Sequence, residues 1–232
     1  MERVNTLYHF GDSFATSCEF EPIFTEYMAK ELCMHWRGYG LPGGCNEQIF
    51  SEILKNLHKF KEGDLLVINW SSFSRISYSP HNEFKLKSAN KLIEEFGHNE
   101  EGVEGITDNY KDFLLESASN MNYDNSSKIF KSHLPALQKY FKKIGIKFIQ
   151  TFLSNDLYLD SKKIDSFKTF IDVENLIYFE PPLPNILSDG SYRMWLLNKN
   201  WGNEECCHYT SGIQPDLSKY FIEKYYNNFY SK

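Results

Sequence analysis

The sequence predicts an α/β protein in which a parallel β-sheet carries helices on both faces. Two continuous apolar runs, DLLVINW at 64–70 and IKFIQTFL at 146–153, are typical of strands that are buried on both sides. Amphipathic helical patterns alternate with the strand patterns along the chain. This alternation is characteristic of parallel sheets, because each crossover between parallel strands requires a long connection.

Four strands are predicted. The first covers residues 4–10 and ends directly before a Gly-Asp-Ser sequence at 11–13. The two apolar runs are the next two strands. The fourth is NLIYFE at 175–180, which two prolines close.

Three helices are predicted from apolar residues that recur at three- and four-residue spacing, over 46–60, 127–144 and about 215–229. Asn46 is a residue type that favours the N-cap position, so it is expected to cap the first of them. Gly145 follows the second directly and is expected to end it in the left-handed conformation.

The chain of 232 residues is long enough for one domain with a sizeable core, and we predict a single domain over 1–232. Residues 74–107 are polar and weakly periodic. We interpret this segment as an insertion or lid-like excursion, although a plain loop with one short helix fits the pattern equally well.

Composition and charge exclude several classes of protein. Hydrophobic residues make up 41% and charged residues 24% of the chain, which argues against disorder. The formal net charge of −6 gives no electrostatic reason to expect a nucleic-acid partner. No apolar run approaches the roughly 18 to 20 residues that a membrane helix needs. Without a basic segment followed by an apolar one at the N-terminus, a cytoplasmic location is expected, while a virion-borne or mature extracellular protein stays open.

The five cysteines do not form a disulfide pattern, because their number is odd and their spacing irregular. Reduced thiols are the simpler interpretation. The segment CCH at 206–208 contains two metal-binding residue types, but no CxxC or HxxxH sequence accompanies it, so no metal is predicted.

The sequence GDSFA that follows the first predicted strand resembles the first sequence block of the GDSL/SGNH hydrolase family. In that family the serine is the nucleophile, so the resemblance implies this role for Ser13. Gly-Asp-Ser is also ordinary turn chemistry. Its place after a strand favours the functional interpretation, because sites in parallel sheets form beyond the carboxyl ends of the strands.

The segment EECCHYTSGIQPDLSKYF resembles the last block of the same family, which carries the histidine of the triad. His208 stands three residues after Glu205 and just before the terminal helix. The family has aspartate where this chain has Glu205, but either carboxylate can accept the imidazole N–H and fix its tautomer. Only the spacing favours Glu205 over the adjacent Glu204. The alternative is a surface acidic pair beside a loop histidine.

The segment RGYGLPGGCNEQI resembles the second block, in which a glycine presents its backbone N–H to the oxyanion. Gly43 matches that glycine best, and Gly44 is a close rival. A glycine suits this place because a side chain would obstruct an approaching carbonyl oxygen.

Three glycines of this segment, Gly38, Gly40 and Gly43, also fit the dinucleotide-binding pattern G-x-G-x-x-G. We reject that interpretation on two grounds. The preceding CMHW is short and is not the apolar strand that the pattern requires, and no acidic residue closes a strand about 20 residues further on.

The third block departs from the family, which has Gly-x-Asn-Asp where this chain has VINWSSFSR. Ser71 takes the place of the asparagine that donates to the oxyanion, and Asn69 points to the same side of the strand two residues earlier. Loss of one such donor typically lowers turnover about 10²–10³-fold. Arg75 is a candidate for binding an anionic group of the substrate, and a solvated loop arginine is an equally consistent interpretation.

The resemblance implies a three-layer α/β/α sandwich with a flavodoxin-like parallel sheet. It also implies a serine ester hydrolase that forms an acyl-enzyme through Ser13, His208 and Glu205, without metal or organic cofactor. Relatives act on acetylated sugars, lipids and small esters, and an O-acetylated carbohydrate is the expected substrate. Three alternatives stay open: an acyltransferase, a non-catalytic relative that binds a glycan or protein, and an α/β binding protein whose Gly-Asp-Ser is only a turn.

Overall fold

The computed structural model describes residues 4–12, 15–16, 22–42, 44–71, 75–78, 85–88, 128–152 and 212–227. For 75–78, 85–88, 128–132 and 152 it describes the backbone alone.

Six strands and four α-helices lie within these residues. The strands are β1 Thr6–Gly11, β2 His35–Gly40, β3 Leu65–Trp70, β4 Arg75–Tyr78, β5 Lys85–Ser88 and β6 Lys147–Phe152. The helices are α1 Phe24–Glu31, α2 Asn46–Asn56, α3 Lys128–Lys143 and α4 Gln214–Phe221. A 3₁₀ turn, Leu57–Lys59, follows α2, and a π-helical turn, Ile222–Tyr226, follows α4.

The main sheet of the described chain is parallel, with the strand order β2-β1-β3-β6. When the four strands of this sheet are numbered in chain order, β6 becomes the fourth strand and the order is 2-1-3-4. The flavodoxin-like order begins in the same way. In the register, Gly11 of β1 lies beside Gly40 of β2 and Asn69 of β3, and Asn69 lies beside Thr151 of β6. The predicted α/β class with a flavodoxin-like parallel sheet is therefore confirmed.

Helices cover both faces of the sheet, because successive side chains of a strand point to opposite sides. One face packs against α2 and α3, and its strand residues are Tyr8, Phe10, Leu66, Ile68, Trp70 and Phe148. The other face packs against α1 and α4, and its strand residues are Leu7, Leu65, Val67 and Ile149. The predicted three layers follow from these two apolar clusters.

The predicted elements that are buried on both faces match the structure most closely. Residues 64–70 form β3, and 146–153 contain β6, each displaced by about one residue at an end. Helix α3 fills nearly all of 127–144, and Gly145 ends it with a φ of 71°, as expected. The strand predicted at 175–180 lies outside the described residues.

Three parts of the described fold were not anticipated from the sequence. Strand β2 was not expected, because its residues are largely exposed and form no apolar run. Helix α1 was not expected either. The segment interpreted as an insertion contains β4 and β5, which pair in antiparallel fashion as a separate two-stranded sheet. Among the helices that the structure describes, none has both the length and the apolar character to cross a membrane.

Candidate active site

The candidate site lies at the carboxyl ends of β1 and β3. The chain leaves β1 for β2 on one side and later reaches β3 on the other, so the strand order reverses between β1 and β3. Open α/β sheets bind their ligands at such a switch point, beyond the carboxyl ends of the strands. Strand β1 ends there at Gly11, and the following Asp12 is fully buried.

The chain turns back sharply after β1. The N–H of Ala15 donates to the carbonyl oxygen of Asp12 at 3.0 Å, and the Thr16 hydroxyl reaches the same oxygen at 3.4 Å. The N–H of Leu41 donates to the carbonyl of Gly11 at 2.9 Å, which ties the end of β2 to the end of β1. The first and second sequence blocks are therefore joined by backbone hydrogen bonds.

Glycine is required where the turn after β1 packs on β2. A Cβ on Gly40 would lie 2.5 Å from the backbone carbonyl carbon and oxygen of Ala15, which is too close for any side chain. Gly38 and Gly40 both lie inside β2, whose residues are exposed or half-buried, so no apolar strand precedes the glycine pattern. The dinucleotide pattern places its first glycines in a turn between strand and helix. Here Gly40 has a packing role instead.

Asn46 fixes the end of β3 to the start of α2. Its Oδ1 accepts the N–H of Ser71 at 2.8 Å, and its Nδ2 donates to the carbonyl of Ser71 at 3.0 Å. Asn46 is 4% exposed and Ser71 1% exposed, so water does not compete for these bonds. The prediction that Asn46 caps α2 is wrong: Cys45 is the N-cap residue, and the Asn46 amide is used across 25 residues of sequence.

Ser71 also contacts the end of β1. Its Oγ donates to Oδ2 of Asp12 at 3.4 Å, in a buried setting. The backbone N–H of Ser71 is already bonded to Asn46, so both donors of Ser71 have partners. The pairing connects the two strand ends at the switch point.

Asn69 lies two residues before Ser71, beside Gly11, and is 1% exposed. Neither its Oδ1 nor its Nδ2 has a hydrogen-bond partner among the described residues. A buried amide without partners is costly. Asn69 therefore offers an unused donor just below the strand ends.

His9 lies on the same face, below Asn69, and belongs to a buried polar chain. Its Nδ1 lies 2.8 Å from Oγ1 of Thr25, and that oxygen accepts the indole N–H of Trp36 at 3.0 Å. Because the indole can only donate, the Thr25 hydroxyl proton is free to donate to Nδ1. Which of the two atoms donates depends on the His9 tautomer.

Burial lowers the pKa of His9 to about 3, and the nearby Asn69 side chain acts more weakly in the opposite direction. His9 is therefore neutral at physiological pH. An efficient general base has a pKa near the working pH, so His9 is not suited to activate a serine.

The structure describes only some of the residues that the sequence singled out. Ser71 and Asn69 lie together beside the end of β1. Arg75 begins β4, four residues after Ser71, and only its backbone is described. The remaining candidates fall outside the described residues: Ser13, Gly43, Glu205 and His208.

Sequence reasoning missed the roles of Asp12, Asn46 and the Trp36–Thr25–His9 chain. Asp12 has a signal in the sequence, since it stands inside the Gly-Asp-Ser motif. The polar chain has none, because its members come from three different elements. Within the ranges that the structure describes, no cluster of His, Cys, Asp and Glu is arranged to hold a metal ion.

No family model and no curated protein sequence matches this chain. Among solved structures, one that shows a likeness is a candidate lipolytic protein of the G-D-S-L family from Desulfitobacterium hafniense DCB-2. It is 13% identical, and the match covers 84% of this chain and 97% of that chain with a TM-score of 0.28. A TM-score this low does not establish a common fold, so the fold assignment rests on the strand order alone.

Proposed function

We propose that the protein is a serine-dependent ester hydrolase with Ser13 as the nucleophile, His208 as the general base and Glu205 as the carboxylate that orients the histidine. One observation carries the proposal. Strand β1 ends at Gly11, at the switch point of a parallel sheet, and the buried carboxylate of the next residue, Asp12, meets Ser71 there at 3.4 Å. Polar groups converge there at the place where such sheets bind ligands.

The proposed reaction is acyl transfer through a covalent intermediate. Neutral His208 takes the proton of the Ser13 hydroxyl as its oxygen attacks the ester carbonyl. The alcohol leaves with that proton, and the acyl group stays on Ser13. Water then attacks the acyl-enzyme, with His208 again as base, and the acid is released.

Backbone N–H groups of Ser13 and Gly43 are the proposed oxyanion donors, together with one side chain of β3. Ser71 stands where the family has its asparagine, but its hydroxyl must first leave Asp12. That bond is long at 3.4 Å, so the exchange is inexpensive. Asn69 has a free amide but lies two residues lower on the strand.

Comparison of two variants assigns the β3 donor. Replacement of the true donor lowers kcat about 10²–10³-fold and leaves KM little changed. We therefore propose to measure kcat and KM for Ser71→Ala and Asn69→Leu separately. A variant that changes neither constant excludes its residue as the donor.

An O-acetylated carbohydrate is the proposed substrate class, with Arg75 binding an anionic group on it. Water is the proposed acceptor, and an alcohol acceptor would make the protein an acyltransferase instead. A cytoplasmic location is part of the proposal.

A second candidate function is a non-catalytic domain that binds a glycan. The observation that favours it is that both donors of Ser71 have protein partners, which leaves the third block without a free donor at that position. In this case the strand ends would bind an ester without cleaving it.

Hydrolysis of p-nitrophenyl acetate separates the two functions. The wild type is compared with Ser13→Ala and with Ser51→Ala, a control at an exposed position of α2. We expect turnover by the wild type and the control, and its loss in Ser13→Ala. Equal rates for all three proteins would remove Ser13 as the nucleophile. An inactive wild type that binds acetylated glycans would support the binding domain.

A further inference from the structure

A hollow of about 440 Å³ lies on the sheet away from the candidate active site. Thr6 and Tyr8 of β1 are part of its lining, with Arg37 of β2 on one side. The turn after α2 closes the other side with His58, Lys59 and Lys61. Thr6 and Gly11 stand at opposite ends of β1, roughly 16 Å apart at the usual rise of a strand. The hollow is therefore separate from the edge that carries Asp12.

The lining of the hollow is cationic. Arg37, Lys59 and Lys61 are basic residues, and no carboxylate is among the lining residues. This is a concentration of positive charge on a chain whose formal net charge is −6. The Glu62 side chain, next to Lys61 in sequence, lies against Gly145.

One buried carboxylate, Asp64, lies behind the lining. Its Oδ1 accepts the N–H of Thr6 at 2.8 Å and its Oδ2 accepts the N–H of Lys61 at 2.9 Å. Asp64 is fully buried and so does not compete as a surface ligand. Three lining cations and this one anion leave an excess of two positive charges, with His58 not counted.

The cations differ in how they are held. The Lys59 ammonium donates to Oδ1 of Asn56 at 2.6 Å and lies over the Tyr39 ring, 5.6 Å from its centroid, so it is fixed at the rim. The side chains of Arg37 and Lys61 form no hydrogen bond or ion pair with any other described residue. Arg37 also acts on the Tyr8 hydroxyl, opposing the burial that raises the pKa of Tyr8. The donors of Arg37 and Lys61 are therefore available to a ligand, while Lys59 is already held in place at the rim.

We propose that this hollow binds the phosphate group of a small phosphorylated ligand. A phosphate dianion matches the excess of two positive charges, and the planar guanidinium of Arg37 can donate two parallel hydrogen bonds to phosphate oxygens. Lys59 and Lys61 add point charges on the opposite side. The volume exceeds that of one phosphate and lies in the range of small-molecule sites. This inference does not depend on the proposed ester hydrolysis.

The test is a titration of the full chain with phosphate probes at constant ionic strength, monitored by ¹H–¹⁵N correlation spectra. The two probes are inorganic phosphate and glycerol 3-phosphate, with sodium chloride as the reference salt. We expect saturable shifts of the amide signals of Thr6, Arg37 and Lys61, with roughly millimolar affinity. Tighter binding of the ester indicates a phosphorylated metabolite, and tighter binding of the free ion indicates inorganic phosphate.

Three variants make the test specific. Arg37→Gln and Lys61→Gln are each expected to weaken binding about tenfold, since each removes charge-assisted donors. Lys55→Gln is the matched control: Lys55 is exposed on α2, pairs with Glu52 at 3.2 Å and does not line the hollow. It should leave the affinity unchanged. The proposal is overturned by the absence of saturable shifts, by equal shifts with chloride, or by equal weakening in the control.

Discussion

Replacement of Asn46 by alanine tests the connection between the two strand ends at the candidate site. The Asn46 amide satisfies both the N–H and the carbonyl of Ser71, at 2.8 and 3.0 Å, and both residues are buried. In the alanine variant the two backbone groups of Ser71 lose their partners where water has little access. A buried polar group left without a partner costs about 1–3 kcal/mol, so two such groups cost about 2–6 kcal/mol. This is a large part of the roughly 5–15 kcal/mol that stabilises a typical domain.

Urea unfolding, monitored by circular dichroism, measures the loss in the free energy of unfolding. The matched control is Asn56→Ala, because Asn56 is also buried on α2 but its amide has only nearby partners: it donates to Glu52 at 2.8 and 3.0 Å and accepts from the Lys59 ammonium at 2.6 Å. Its loss should be about 1 kcal/mol, since the helix retains its own backbone hydrogen bonds. If Asn46→Ala is no less stable than Asn56→Ala, the Asn46–Ser71 pairing does not stabilise the site.

Asn46→Asp separates the two hydrogen bonds. A carboxylate can still accept the N–H of Ser71, but it opposes the carbonyl to which the amide donated. Burial raises the pKa of a carboxyl group, and protonation restores a donor. Because the folded-state pKa of this group is raised, its stabilising contribution is present at low pH and is lost as the pH rises. Urea midpoints that do not improve at low pH, relative to the wild type, would argue against this geometry.

Three further predictions concern burial. Burial lowers the pKa of His9 to about 3, so between about pH 6.5 and pH 3 only the unfolded chain gains a proton at this residue. Through this group the free energy of unfolding falls by ~2 kcal/mol between pH 7 and pH 5. In urea titrations at several pH values, His9→Gln should remove that part of the pH dependence. Gly40→Ala should cost at least about 2 kcal/mol, because its Cβ meets backbone at 2.5 Å, while Gly38→Ala meets only a side chain and should cost less; equal thermal shifts would contradict this. Iodoacetamide should modify the exposed Cys33 quickly and Cys45 only on unfolding, since burial raises the pKa of Cys45 to about 12; mass spectrometry of the native protein reports both.

The fold was predictable where burial requires a recognisable apolar pattern in the sequence. Strands β3 and β6 are covered on both faces, so they lie in mostly apolar stretches of sequence and were located to about one residue. Strand β2 has a sheet neighbour on one side only within the described chain, and its exposed His35, Arg37 and Gly38 resemble a loop. Because β2 is partly exposed, it lacks the apolar pattern from which strands were predicted.

The candidate site was predictable in location but not in its contacts. The sequence placed Gly-Asp-Ser at the end of the first strand, and β1 does end at Gly11 with Asp12 buried behind it. Local propensity assigned Asn46 to a helix cap, whereas a tertiary contact with Ser71 takes its amide. The Trp36–Thr25–His9 chain joins β2, α1 and β1, so no regular spacing along the sequence predicts it.

The most direct test of the proposed serine hydrolase is to map the adduct of a reactive phosphonate ester. The intact protein is treated with the probe, digested, and analysed by mass spectrometry, with Ser13→Ala and Ser51→Ala treated in parallel. We predict one phosphonylated peptide, modified at Ser13, in the wild type and Ser51→Ala, and none in Ser13→Ala. A wild type that stays unmodified, or an adduct that persists when Ser13 is replaced, would contradict the claim that the strand end at the switch point carries a nucleophile.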